Sequence, residues 1–267
     1  MDKKPLVSII IPTYNRAEFL PRAVQSALDQ TYTNIEIIIV DDCSPDNTKE
    51  VVKAYQKKDK RIQYLCNKKN SWACFSRNQW IHKAKWEYIQ FLDDDDEISL
   101  NKLEKQLNKF EKADNKIWVI TCDVDYQRSD IHMVKKNRKK WYIFVDLLKS
   151  YCVYATHSML IKKECFQNVS FDSTLVSWQE YDLMLQILKN WHIDYIPEVL
   201  CVVYESKDQI SFNFKKKLQW NVRLITKRYK EWIKHKVFVY NIARFSYLLF
   251  RYSVWYLFGK KVYLLMP

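Results

Sequence analysis

The apolar, largely β-branched run at 6–11 is interrupted by Pro12-Thr13-Tyr14-Asn15-Arg16, a pattern that predicts a strand buried on both faces. Apolar residues then recur at helical spacing, at Phe19, Leu20, Ala23, Val24, Ala27 and Leu28. A second buried strand over 35–40 stops at Asp41-Asp42. Ser44-Pro45-Asp46-Asn47-Thr48 reads as a turn and helix start leading to Val51, Val52 and Tyr55. A third strand is expected over 62–65, a helix over 76–83, and a fourth strand over 88–92 that runs straight into Asp93-Asp94-Asp95-Asp96. Beyond it the pattern is less regular, with strands expected at 117–122 and 154–161, a basic loop at 135–140 and a helix over 180–188.

Strands alternating with helices predict an α/β fold built on a mostly parallel, doubly wound sheet. Ligands of such sheets sit beyond the carboxyl ends of the strands. All three polar clusters (12–16, 41–46 and 93–97) follow strand ends, so they are expected to converge on one crevice.

Composition narrows what that crevice can hold. Gly259 is the only glycine among 267 residues, so neither a Walker loop nor a GxGxxG fingerprint can be written, and a nucleotide must be held by other means. The seven cysteines are scattered, odd in number and without a CxxC pair, which fits buried thiols in a reducing compartment. The apolar run before Pro12 is too short for a signal-peptide core and reads better as a strand, so a cytoplasmic location is expected. A net charge of +13 suits polyanions: nucleic acid, an anionic bilayer face or phosphorylated glycans.

Four consecutive aspartates repel one another and raise each other's pKa, a penalty that a divalent cation removes. Mg²⁺ and Mn²⁺ take carboxylate oxygens and are commonly shared with substrate phosphates. An isolated acidic run is more often a solvated helix cap; its place at a strand end, beside two other polar strand ends, favours the metal.

Three motifs, Val7-Ser8-Ile9-Ile10-Ile11-Pro12-Thr13-Tyr14-Asn15-Arg16, Ile39-Val40-Asp41-Asp42-Cys43-Ser44 and Phe91-Leu92-Asp93-Asp94-Asp95-Asp96, together resemble the family 2 glycosyltransferases. The resemblance covers roughly residues 5–212 and implies a GT-A fold, a nucleotide-diphospho-sugar donor (a UDP-sugar above all), Mn²⁺ or Mg²⁺, and inversion at the anomeric carbon. Carried over by motif, Pro12, Thr13, Tyr14 and Arg16 would line the nucleotide-sugar site, with Pro12 and Tyr14 against base and ribose. Asp42 would accept a hydrogen bond from the uracil imide, and Arg77 would line the donor site. Asp95 would be the metal ligand, joined by Asp93, while Asp93 or Asp94 would reach the ribose and donor sugar.

Inversion also needs a general base near the acceptor hydroxyl. The family places an aspartate in an E-D-x-D or Q-D-x-D string; here the string is Gln179-Glu180-Tyr181-Asp182, so Glu180 takes the base position and Asp182 is the second candidate. His157 and Trp178 match the acceptor side. The resemblance divides the chain into a catalytic domain, 1–212 (nucleotide-sugar half about 1–98, acceptor half about 99–212), and a basic, aromatic helical tail, 213–267.

Within the tail, 237–258 is nearly all apolar but carries Arg244 and Arg251, which argues against a membrane span. A helix in the bilayer interface and a helix packed on the domain both fit. The flanking basics (215–217, Lys227-Arg228, Lys260-Lys261) favour an anionic membrane surface, hence a peripheral enzyme on the inner face of the cytoplasmic membrane. The acceptor expected is a glycan or lipid-linked saccharide of the lipopolysaccharide, lipooligosaccharide or capsule type. Two further readings remain at this point: a nucleotidyltransferase on a similar fold, and a non-enzymatic nucleic-acid-binding protein, whose phosphates the acidic strand ends would repel.

Overall fold

A computed structural model describes residues 4–81, 87–127, 132–141, 143–150, 155–175, 179–204 and 214–243, with Ser246, Tyr247 and Phe250. Its centre is a nine-stranded sheet in the order β3-β2-β1-β4-β8-β6-β9-β5, with β7 paired to β6. β1 (Val7–Thr13), β2 (Ile35–Asp41), β3 (Ile62–Cys66) and β4 (Tyr88–Phe91) run parallel, alternating with α1 (Leu20–Leu28), α2 (Thr48–Lys58) and α3 (Trp72–Ile81).

The second half departs from the expected parallel order. β5 (Glu97–Ile98) is followed by α4 (Lys102–Glu111), β6 (Ile117–Gln127), β7 (His132–Lys135), α5 (Phe144–Ser150), β8 (Leu160–Lys162), α6 (Gln179–Leu188) and β9 (His192–Tyr204). β8 lies antiparallel between β4 and β6, which leaves β6 parallel to β4. The strand expected over 154–161 is therefore shorter: Thr156–Ser158 is a 3₁₀ turn, and only Leu160–Lys162 pairs with neighbours. β9 was not foreseen, because its alternation breaks at Pro197. The register to β6 shifts there, Cys122 facing Ile196 and Asp123 facing Val199, so a bulge accommodates the residue that lacks an N–H.

All seven residues of β1 are buried. Period-two geometry sends Ile10, Ile38 and Val40 into one core with α5, α6 and the last helix, and Ile9, Ile11, Ile37 and Ile39 into the other with α1 and α4. The last helix, α7 (Phe214–Lys234), begins the segment expected as a tail. Leu224, Trp232 and Val237 are buried in the first core, and the Asn241 amide donates to Leu148 O at 3.0 Å. At least this much of the tail packs on the sheet layer. Among the described residues, no helix is long and apolar enough to cross a membrane.

Candidate active site

Two left-handed turns open the crevice. Asn15 (φ 54°) follows β1 and Cys43 (φ 67°) follows β2, left-handed positions that asparagine tolerates and that cost a cysteine more than a glycine. Here cross-links hold them: the Asn15 N–H donates to Ser44 Oγ at 2.9 Å, the Asp42 N–H to Thr13 O at 2.9 Å, and the Ser44 N–H to Asp41 Oδ1 at 2.8 Å. Pro12 and Thr13 are buried in these strand ends, while Tyr14 is exposed at the crevice edge. The buried Asp42 carboxylate accepts the Ser71 N–H at 2.9 Å and the Asn67 amide at 2.8 Å, fixing the loop that leads to α3.

The four aspartates form a turn in which the Asp96 N–H donates to Asp93 O at 3.2 Å. This closure sets the first and last members side by side and sends the middle pair elsewhere. Arg16 reaches Asp94 Oδ1 at 3.1 Å and Asp95 Oδ2 at 2.7 Å, and Arg22 donates to Asp95 O. Burial pushes the Asp94 carboxyl up to about 6 despite Arg16. Asp96 is held well above the usual carboxylate range, first by burial and then by its acidic neighbours.

Ligand atoms of Asp93, Asp96 and His157 lie within 4.8 Å of one another, the group among the described residues that could hold a metal ion. His157 Nδ1 is 3.2 Å from Asp96 Oδ2 but lacks hydrogen-bond alignment, and neither buried ring nitrogen makes a hydrogen bond. Burial lowers His157 to about 4, so its imidazole is neutral at physiological pH, the form that ligates metals. A neutral, unbonded imidazole against two mutually repelling carboxylates suits a divalent cation. Asp95, expected as the metal ligand, is paired with Arg16, and Asp93, expected beside it, is one of the three grouped residues.

A polar network missed in the sequence supports this group from below. The fully buried Lys102 ammonium donates to Gln90 Oε1 and, at 2.7 Å, to Gln106 Oε1. Gln90 in turn donates to His157 O at 2.9 Å and Gln106 to Ser158 O at 3.0 Å, which fixes the 3₁₀ turn. A buried lysine with two glutamines has no local sequence signature; only the chain path joins them.

Arg77, from α3, closes the crevice from the other side. Its guanidinium donates to Asp93 Oδ1 at 2.7 Å, lies 3.8 Å from Glu180 Oε1 and stands 5.3 Å over the Phe171 ring. The first turn of α6 supplies Glu180, whose carboxyl is raised by burial while Arg77 offsets part of that rise. Asp182 does not share the position. This second base candidate is completely buried and accepts from Lys227 and Gln186 at 2.9 Å each and from Arg228, whereas Glu180, the first candidate, lies beside Arg77. Helical geometry explains the difference: two residues along α6 turn the side chain by about 200°. Trp178 lies outside the described residues.

Comparison with known proteins gives a consistent set. Residues 8–170 match the family model described as Glycosyl transferase family 2. TuaG of Bacillus subtilis, named as a teichuronic acid biosynthesis glycosyltransferase, is 45% identical over 104 residues, 39% of this chain and 41% of its own length. The chain thus spans less than half of that relative. The structure of S. aureus TarS in complex with UDP-GlcNAc superposes with a TM-score of 0.65 at 18% identity, over 82% of this chain and 66% of that one. The mannosyltransferase PcManGT from Pyrobaculum calidifontis, in complex with GDP-Man and Mn²⁺, superposes with a TM-score of 0.65 at 14% identity, over 91% of this chain and 74% of that one. At these identities the two structures speak for the fold alone.

Proposed function

Because the chain belongs to glycosyl transferase family 2, we propose that it moves a sugar, with inversion, from a UDP-sugar to a hydroxyl of a surface glycan or its lipid-linked precursor. The observation that carries this reading is Arg77, whose one guanidinium joins the acid motif at Asp93 to the carboxylate of Glu180. Donor site and base thereby share one crevice. TuaG's naming for teichuronic acid supports a surface polysaccharide as product, and the place of Asp42 in the second motif supports a uridine donor.

In this reading Pro12, Thr13 and Tyr14 receive the nucleotide, and Asp42, whose carboxylate already orders the 67–71 loop, recognises the base. Arg16 holds Asp94 and Asp95 in the acid motif, and Arg77 faces the diphosphate. Asp93, Asp96 and His157 would hold Mn²⁺ or Mg²⁺, which when bound neutralises the diphosphate leaving group. Glu180 accepts the proton of the acceptor hydroxyl as that oxygen bonds to the anomeric carbon. The carbon–oxygen bond to the β-phosphate breaks on the opposite face, and the nucleoside diphosphate departs with its electron pair.

Calorimetric titration tests the donor assignment. UDP is expected to bind at least about tenfold more tightly than GDP, and more tightly with Mn²⁺ than with EDTA. Equal affinity for UDP and GDP would remove uridine from the proposal.

We propose a catalytic unit over 1–212, against which α7 packs through Leu224, Trp232 and Val237. We further propose that the outer face of α7 rests on an anionic membrane. Val222, Tyr229 and Ile233 form an exposed stripe at helical spacing, beside exposed Lys230, Lys234 and Lys236. Val239 and Tyr240 continue the exposed apolar surface beyond the helix. In liposome flotation the protein is expected to rise with vesicles containing anionic lipid and not with neutral ones, and Tyr229→Ser/Ile233→Ser to lose most of that binding. Flotation unaffected by either change would overturn the assignment.

A further inference from the structure

Lys227 and Arg228 sit in the stretch whose composition suggests a membrane-facing basic flank, yet Arg228 is buried and Lys227, though itself exposed, ends on two carboxylates of the catalytic unit. Arg228 is buried, its Nε donating to Asp182 Oδ1 at 2.9 Å and a terminal nitrogen reaching the same oxygen. Lys227 Nζ bridges two carboxylates, Asp182 Oδ2 at 2.9 Å and Asp172 Oδ2 at 2.6 Å. Gln186 fills the remaining approach to Asp182, at 2.9 Å.

Each of these contacts lies one or two residues behind the crevice. Asp182 is two residues from Glu180, on the opposite side of the same helical turn. Asp172 follows Phe171, whose ring lies under the Arg77 guanidinium. The Phe171 N–H and C=O are both bonded to the Asn78 amide, at 2.9 and 2.7 Å, so that loop is also tied to α3 beside Arg77. Arg223, one turn earlier on α7, donates to Thr174 O at 2.6 Å.

We propose that Lys227 and Arg228 are positioning residues, a brace that ties the first turn of α6, and with it Glu180, to the loop at Asp172. The assignment rests on Glu180 as the general base. A buried ion pair adds little net stability over an apolar replacement, but it has a single directional geometry, which is what orientation requires. The helix that carries the brace is itself fixed. Trp232 is completely buried, and α7 closes with the Val237 N–H on Trp232 O at 2.9 Å and the Lys236 N–H on Ile233 O at 3.0 Å. Lys236, at φ 55°, takes the left-handed position of that cap. A displacement of about 1 Å at a catalytic group costs up to about 100-fold in rate, so the brace acts on kcat rather than on donor binding.

The test compares Arg228→Met, Arg228→Lys and Lys227→Met with the unmodified chain, reading kcat for UDP-sugar turnover, UDP affinity with Mn²⁺ and the thermal midpoint. Arg228→Met is expected to lower kcat about 10- to 30-fold with UDP affinity within about twofold of the starting value. Arg228→Lys, which keeps a cation against Asp182, is expected to recover most of that loss. Lys227→Met, at a more exposed position that leaves Arg228 in place, is expected to cost about threefold and stands in if Arg228→Met does not fold. Unchanged kcat in the folded variants overturns the brace, and so does a loss of kcat matched by an equal loss of UDP affinity. Glu180→Gln measured in parallel separates the two assignments. If it retains full turnover the base assignment fails and the brace with it, whereas an inactive Glu180→Gln beside fully active brace variants removes the brace alone.

Discussion

Glu180→Gln is expected to lower sugar transfer about 10³-fold while leaving UDP affinity unchanged, a loss within the range for removal of a general base. Glutamine keeps the shape and the contact to Arg77 but cannot accept the acceptor's proton. The pH profile gives a second reading. Burial raises the Glu180 carboxyl above the ordinary glutamate range, and only its ionised form acts as base. The kcat of the unmodified chain should therefore fall as pH drops through that raised value, and the acid limb should disappear from the residual rate of Glu180→Gln. The check is kcat against pH at saturating UDP-sugar and metal. A variant that keeps its transfer rate would remove Glu180 from the chemistry.

The second large effect concerns the acid motif. Asp93→Asn and Asp96→Asn are each expected to weaken Mn²⁺ binding in the presence of UDP by at least about 100-fold, and to reduce turnover accordingly. The expectation follows from the grouping of both carboxylates with His157, whose ring nitrogens make no hydrogen bond. Asp95→Asn removes a partner of Arg16 and is expected to affect Mn²⁺ less. Electron paramagnetic resonance of free Mn²⁺ reports the affinities directly. A larger loss in Asp95→Asn than in Asp96→Asn would move the ligand to Asp95, and Arg16 would then have to release it when the metal binds.

The N-terminal half of the fold is legible because its strands are apolar runs that stop abruptly at polar clusters. β1, β2 and β4 lie where those runs predict them, and their ends converge as expected. What the sequence concealed depends on distant partners. The turn carrying His157 reads as strand from its neighbours, but Gln90 and Gln106 hold it in a 3₁₀ conformation. β9 is hidden by the bulge at Pro197, which breaks the alternation a strand should show. A D-x-D reading of the acid motif passes over Asp96, because closure of the turn rather than spacing along an extended chain sets it beside Asp93. Asp182 stands in the sequence as the second base candidate after Glu180, and nothing near it shows that Lys227 and Arg228, which are far away in sequence, are placed against it. The same pair shows what composition leaves out: a basic dipeptide suggests a surface, and here Lys227 is exposed while Arg228 is buried, both against the carboxylate of Asp182.

The most direct test of a metal-dependent sugar-nucleotide transferase is nucleoside diphosphate release from a panel of UDP-, GDP- and dTDP-sugars, each with Mn²⁺, Mg²⁺ or EDTA. Release is expected from a UDP-sugar, only with a divalent cation, and to be lost in Asp93→Asn. Release from none of the donors by the folded protein, or release that EDTA does not touch, would contradict the account.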